Sequence, residues 1–305
     1  MSAPLVSVII PAYNRAAILP QSAGSVLAQT MGDLELIIVD DCSKDSTVEV
    51  ARSLGDSRVK VIGQETNRGV SAARNAGAAA ATGKYLAFLD SDDEWLPEKL
   101  AIQVAQLEAS PAPENTHCSH AFEMQSGGAP VVWPKRGPHP GEAVSDYLFA
   151  GNGQLQTSTW LLARELFTKF RFDETLRRHE DWDVLLRLAK HGTGFLHISQ
   201  SLARRDTGDD AGRLSNINDA LWSENFLESH RDLFTPRAAL AFRARIVGSQ
   251  LARAGRKGAA FSRWWGAFSS RAIEPGACVK LGAQLFTPNL WNRLLQLRSL
   301  KRSRS

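Results

Sequence analysis

Tyr85-Leu86-Ala87-Phe88-Leu89-Asp90-Ser91-Asp92-Asp93 sets an apolar run of strand length directly against three carboxylates. A run this short and this apolar reads as a strand buried on both faces, the kind found inside a parallel sheet. Its carboxyl end is then acidic. Towards the N-terminus, residues 6–10, 35–39 and 59–62 read as three more strands, rich in β-branched side chains. Between them, 18–29 carries Ile18, Leu19, Ala23, Val26 and Leu27 at helical spacing, and 47–54 is a second helix with Asp45 or Ser46 to cap it. An Ala-rich helix over 70–81 ends at Gly83, and 96–107 is a helix entered at Pro97 and capped by Asp93. Strands and helices alternating at this spacing make βαβ units. The fold class is therefore α/β, a Rossmann-like, mostly parallel sheet with helices on both faces.

Open sheets of this kind bind ligands beyond the carboxyl ends of their strands. Four polar stretches fall there: Pro11-Ala12-Tyr13-Asn14-Arg15, Asp40-Asp41-Cys42-Ser43, Asn67-Arg68-Gly69 leading into Val70–Asn75, and Asp90-Ser91-Asp92-Asp93. Asp90 and Asp92, one residue apart at a strand end, suit a divalent cation that prefers oxygen ligands and leaves positions free for phosphate. Taken alone, such a triplet is as well read as a surface turn; a second acidic strand end beside it favours the cation. Asp41 can accept from a base N–H or a ribose hydroxyl; the alternative is an Asx turn over Asp41-Cys42-Ser43-Lys44, and both readings can hold with one aspartate for each. Arg74 can pair with phosphate or with the Asp90 and Asp92 carboxylates; an isolated arginine otherwise faces solvent.

Residues 111–142 hold six prolines and four glycines and read as a long irregular connection. Beyond them, 156–162 reads as a strand, a helix runs from about Glu180 to Gly192, and 195–198 is a further strand. After Asn218 the pattern is mostly helical, then basic. No internal repeat is present.

Charge divides the chain. Residues 231–305 carry 15 Lys and Arg against two acids, a net of +13, whereas 1–230 carry 21 bases against 30 acids, a net of −9. The 43% hydrophobic content suffices for a core and excludes disordered, collagen-like and coiled-coil classes. Cys42, Cys118 and Cys278 are too few and too far apart for a disulfide framework or a metal knuckle, which favours a reducing compartment. Met1 leads straight into the first strand without a signal-peptide pattern, and no window approaches the roughly 18 apolar residues of a spanning helix. The expectation is a cytoplasmic chain, soluble or peripheral on the inner face of the cell membrane.

The stretches 6–14, 35–43, 67–75 and 85–93, in this order and spacing, resemble the family 2 glycosyltransferases, enzymes of the nucleotide-sugar-binding GT-A fold. The likeness is close over 4–110 and looser to about 215. It implies a hexosyl transfer from a nucleoside diphosphate sugar, with uridine favoured as the base by family frequency. It also implies that Pro11, Tyr13 and Asp41 hold the nucleoside, with Arg15 and Asn67 lining the same site. Arg74 would then lie near the phosphates and Asp90 and Ser91 at the sugar, with Asp92 the principal ligand, beside Asp90, of Mn2+ or Mg2+. Phe172-Asp173-Glu174, followed by His179-Glu180-Asp181-Trp182-Asp183, resembles the family region whose Asp is the catalytic base, a role that falls to Asp181. Asp183 lies about 200° further round a helix and cannot share its cleft. Glu180 reads as a first-turn acid, and His179 as a surface residue in preference to one supporting the site from behind. Arg205, in Arg204-Arg205, falls where family members place an Arg near the diphosphate, and 206–215 reads as a loop able to close over the donor.

The resulting blocks are 1–110 for the nucleotide-sugar half, 111–230 for the acceptor and base half, and 231–305 as a basic helical region. Processive synthases of the superfamily carry Gln-x-x-Arg-Trp and membrane helices. The nearest match, Phe261-Ser262-Arg263-Trp264, lacks the glutamine, which favours transfer of a single sugar to a glycan or lipid-linked glycan in polysaccharide biosynthesis. A nucleotidyltransferase would want a Gly-rich phosphate loop and a Lys after the first strand, and 11–15 supplies neither. A non-catalytic scaffold would not need Asp90, Asp92 and Asp181. Arg mixed with Trp264, Trp265, Phe268 and Trp291 over 236–305 suits an anionic membrane surface, or a helical subdomain packed on its own stripe. Nucleic acid is disfavoured, since no reader module is present. The sequence carries no signal for the sugar, the linkage or the oligomeric state.

Overall fold

All seven residues of β1 (Val6–Ala12) are buried, so this strand sits inside a sheet covered on both faces. It pairs in parallel with β2 (Leu34–Asp40) and with β4 (Tyr85–Phe88), with Ile9 between Ile37 and Phe88. β2 pairs in parallel with β3 (Val59–Gly63) at the sheet edge. The connections are helices α1 (Leu19–Leu27), α2 (Thr47–Arg52) and α3 (Val70–Ala80). On α3, a Cβ at Gly77 would stand 2.5 Å from Ile9 Cγ2, so glycine there lets the helix lie against β1.

The computed structural model describes residues 3–125, 130–206 and 219–287. They belong to two compact units, 1–141 with 154–210, and 142–153 with 211–305. In the first unit the sheet continues as a mixed one. β8 (Leu161–Ala163) runs antiparallel to β4, and β6 (Thr116–Gln125) lies between β8 and β9 (Gly194–Asp206). β5 (Asp93–Trp95) lies antiparallel to β9, and β7 (Val131–Trp133) antiparallel to β6. Helices α4 (Lys99–Glu108), α5 (Arg164–Lys169) and α6 (Glu180–Lys190) complete this unit.

Three sequence expectations need correction. The connection over 111–142 contains the ten-residue β6, whose His117, Ser119 and His120 are buried despite their polarity. Residues 156–162 do not form one strand. Thr157–Thr159 is a 3-10 turn, held as Thr159 Oγ1 donates to the Gln156 carbonyl at 2.7 Å, and only then does β8 begin. Asp93 does not cap the next helix: it opens β5, and α4 starts six residues later. The loop expected over 206–215 lies, from residue 207, outside the described residues, as does the tail from 288.

In the second unit, α7 (Ala220–Ser229) is capped by Asp219, α8 (Pro236–Phe242) by Thr235, and α11 (Pro275–Phe286) by Glu274. Between them run α9 (Gly248–Arg253) and α10 (Lys257–Ser269). Phe149, Phe226, Phe234 and Phe242 pack as one aromatic cluster, with Phe149 stacked on Phe234 at 5.1 Å. None of the helices among the described residues is long and apolar enough to cross a membrane.

Candidate active site

The loops after β1 and β2 are laced to one another. Ser43 Oγ accepts from the Asn14 N–H at 2.9 Å, Asn14 Oδ1 accepts from the Lys44 N–H at 2.8 Å, and Thr47 Oγ1 accepts from the Arg15 N–H at 2.8 Å. This fixes Pro11, Tyr13 and Arg15 against the β2 end; Pro11 is buried and Tyr13 is 39% exposed, offering its ring to solvent. Asn14 and Cys42 both take left-handed backbone, φ 54 and 63, to make these turns.

The local turn bond falls to Asp40 and not to Asp41, where the sequence suggested it. Asp40 Oδ2 accepts from the Ser43 N–H three residues on, at 3.0 Å, and its buried Oδ1 has no hydrogen-bond partner among the described residues. Asp41 accepts from the Arg68 N–H at 2.7 Å and the Gly69 N–H at 2.8 Å, one on each oxygen. It therefore holds the loop that carries exposed Asn67 into α3. Gly69 adopts φ 90, open only to glycine at low cost. Arg68 in turn donates to Glu174 at 2.6 Å.

Arg74 does not face solvent. It is buried on α3, donating from Nη2 to Asp90 Oδ1 at 2.6 Å and from Nη1 to Glu180 Oε1 at 3.2 Å. Its guanidinium carbon stands 5.1 Å from the Phe172 ring centre. Burial works against its charge, but Asp90, Glu180 and Asp181 outweigh that and hold its pKa above the usual value. The next residue, Asn75, clamps the Phe172 backbone in both directions, at 2.9 and 3.1 Å. Thus α3 joins the end of β4 to the start of α6.

Asp181 is half-buried at that start, where Oδ1 accepts from the Trp182 N–H at 2.8 Å. Burial, then the Glu180 charge, pushes its carboxyl up to about 7, with Arg74 pulling the other way. Asp183 is bonded instead to Arg187 Nε at 2.9 Å, so the two aspartates have separate surroundings. His179, expected at the surface, is buried at φ 66 and stacked on Trp182 at 4.6 Å, where burial lowers its pKa to about 3.

Asp90, Asp92 and Asp93 each offer an oxygen, all within 4.8 Å of one another. An all-carboxylate donor set suits a hard cation such as Mg2+ or Mn2+. In the same cluster, Asp93 Oδ1 is buried and has no hydrogen-bond partner among the described residues, which fits a site that takes a positive charge. Burial, then the Asp90 and Asp92 charges, raises the Asp93 pKa to about 7, while Arg205 opposes the rise. Arg205 stands there because Asp93 and Arg205 are register partners across β5 and β9. Ser91 is buried, its carbonyl accepting from Ser22 Oγ at 2.7 Å.

The structure therefore brings Arg74, Asp90, Asp92, Asp181 and Arg205 into one charged group, and ties Asp41 and Asn67 to the same helix through Gly69. Sequence reading missed Glu180 and Asp93 as members of the group, and missed Asn75. Only the packing of residues 106 positions apart reveals the Arg74–Glu180 pair.

Residues 7–116 match the family described as Glycosyl transferase family 2. The chain is 32% identical over 245 residues to the amylovoran biosynthesis glycosyltransferase AmsB of Erwinia amylovora, covering 78% of this chain and 81% of that one. It is 41% identical over 103 residues to WfgD of Escherichia coli, a UDP-Glc:alpha-D-GlcNAc-diphosphoundecaprenol beta-1,3-glucosyltransferase, covering 34% of this chain and 41% of that one. Its fold is similar to that of the mannosyltransferase PcManGT from Pyrobaculum calidifontis, in complex with GDP-Man and Mn2+, with a TM-score of 0.61, 18% identity, and 98% and 85% of the two chains covered. The family match and the length of the AmsB alignment together make this chain a member of glycosyltransferase family 2, an enzyme with the GT-A fold.

Proposed function

We propose that the protein is an inverting, cation-assisted transferase that moves one sugar from a nucleoside diphosphate sugar to a glycan or lipid-linked glycan. The observation that carries this reading is the buried Arg74, which stands between Asp90 of the acidic turn and the Glu180–Asp181 pair. It sets a cation-suited carboxylate cluster and a carboxylate of raised pKa against one fixed charge.

In this reading Pro11, Tyr13, Arg15, Asp41 and Asn67 hold the nucleoside, with Tyr13 against the base. Asp92 and Asp90 would hold Mn2+ or Mg2+, with Ser91 beside them at the sugar. When bound, the cation neutralises charge on the departing diphosphate. Arg74 and Arg205 add fixed positive charge near the same group. Asp181 accepts the proton of the attacking acceptor hydroxyl, so that the oxygen bonds to the anomeric carbon as the bond to the diphosphate breaks in a single displacement. A carboxylate poised near 7 is a stronger base than an ordinary aspartate, yet still largely ionised at slightly alkaline pH.

A uridine donor and a diphosphopolyprenol-linked acceptor are supported by the substrates named for WfgD, and a role in surface polysaccharide assembly by the product named for AmsB. The second unit supports surface attachment. Phe261, Trp265 and Val279 are about half exposed beside the basic residues Arg256, Lys257 and Lys280, and each Lys or Arg near an anionic membrane contributes about 1 kcal/mol. The enzyme would then meet its acceptor on the inner face of the cell membrane.

A thermal-shift panel of UDP, GDP and dTDP, with and without Mn2+, tests the reading. One diphosphate should stabilise the wild type in a Mn2+-dependent way. Asp92→Ala should lose that dependence, whereas Asp181→Asn should keep it and lose transfer. Full transfer by both variants would sink the assignment.

A further inference from the structure

Behind the acidic turn lies a buried bracket that the transfer chemistry does not touch. The turn is closed by the Asp93 N–H donating to the Asp90 carbonyl at 3.0 Å. Three carboxylates so close repel one another, and a turn carrying them stays compact only if other groups hold it. Ser158, fully buried in the 3-10 turn before β8, does this with one hydroxyl. Its Oγ accepts from the Asp90 N–H at 3.0 Å and donates to Asp93 Oδ2 at 2.6 Å. A hydroxyl is among the few side-chain groups that can donate and accept at a single atom. Gln156 Nε2 donates to the same Asp93 oxygen at 2.7 Å, and the Ser158 carbonyl accepts from Trp95 Nε1 at 2.8 Å. The two oxygens of Asp93 are thereby distinguished: Oδ2 is engaged by Ser158 and Gln156, while Oδ1 is buried with no hydrogen-bond partner among the described residues. The bracket is also rigid. β8 begins three residues after Ser158 and pairs with β4, the strand from which the turn departs, with Ala87 opposite Leu161.

We infer that Ser158, assisted by Gln156, is a positioning residue for the cation site, holding the turn 90–93 in its ligating shape before any ion arrives. This rests on the reading that Asp90 and Asp92 take a divalent cation with the nucleotide. Sites organised in advance by a second layer of hydrogen bonds lose metal affinity when that layer is removed.

The test is calorimetric titration of the full chain with UDP or GDP, whichever the wild type binds, in EDTA and over a series of Mn2+ concentrations. In Ser158→Ala the Mn2+ concentration for half-maximal tightening of nucleotide should rise on the order of 10- to 100-fold, the usual cost of an outer-layer partner. Affinity in EDTA should stay within about twofold of wild type, because the turn meets the nucleotide through the ion. Gln156→Ala, at a half-buried position, should give a smaller rise in the same direction. Ser158→Cys, nearly isosteric but a weaker donor, should fall between alanine and wild type. If folded Gln156→Ala and Ser158→Ala respond to Mn2+ as the wild type does, the inference fails. It fails equally if both lose nucleotide in EDTA and in Mn2+ to the same extent, which would mark a general loosening of the fold. Absence of any Mn2+ effect on the wild type would overturn the cation reading itself, and this inference with it.

Discussion

The two units solve the problem of buried charge in opposite ways. The first draws charge inward: Arg74 and Asp93 are 4% and 3% exposed, and each is held by partners from distant parts of the chain. Among its described residues, the second packs an aromatic cluster and keeps Arg243 21% exposed, paired with Glu224 and Glu228. Buried ionic groups cost desolvation, and replacing them with apolar residues is often neutral or stabilising. A unit that keeps them does so for a use other than stability. The contrast agrees with the proposal that the transfer site lies in the first unit.

The contrast breaks most visibly at Asp181. Replacing it with asparagine should lower turnover by about 10²–10⁴-fold, the usual contribution of a general base, with nucleotide binding retained. In the wild type, kcat/KM should climb about tenfold per pH unit below 7 and level off above it, because only the ionised carboxylate accepts a proton and its pKa is raised to about 7. A flat profile from pH 5 to 8 would count against Asp181. Next comes Arg74→Ala, which leaves Asp90 and Glu180 without their counter-charge. Urea denaturation should show a loss of about 3–5 kcal/mol in the first unit.

Smaller effects should mark the second unit. Changing Phe261 and Trp265 together to serine should weaken binding to anionic vesicles by about tenfold or more, since each ring contributes apolar burial. Unchanged sedimentation with such vesicles would remove the membrane role from α10. Smallest of all, Arg243→Ala should cost less than about 1 kcal/mol, as partly exposed ion pairs do. Equal losses at Arg74 and Arg243 would erase the distinction between the units.

Much of the first unit was legible because its strands and helices are local patterns. The apolar runs of β1, β2 and β4, and the acids beyond β2 and β4, required no knowledge of partners. β6 was not legible. Its His117, Ser119 and His120 lack the apolar pattern of a buried strand, and they are buried only because β8 and β9 flank them. Asp93 stood two residues before a leucine-rich segment with a proline, a local picture of a helix cap, and only its pairing with Arg205 of β9 shows otherwise. Thr157-Ser158-Thr159 has strand-forming composition, but its hydroxyls find nearby backbone and carboxylate partners and turn the chain instead. Arg74 was read with two alternatives open, and what decided between them was depth, which sequence spacing does not carry.

The guanidinium of Arg74 has one more consequence. Because it already stands against Asp90 and Glu180, the acidic centre has a counter-ion made of protein, and the fold is expected to close without a metal. On the proposed cation-assisted reading, synthesis and metal supply are then separate events for the cell. The chain can be made and kept in a metal-poor interval, and a chelator should silence it without unfolding it, unlike small domains whose folding energy is the metal's own.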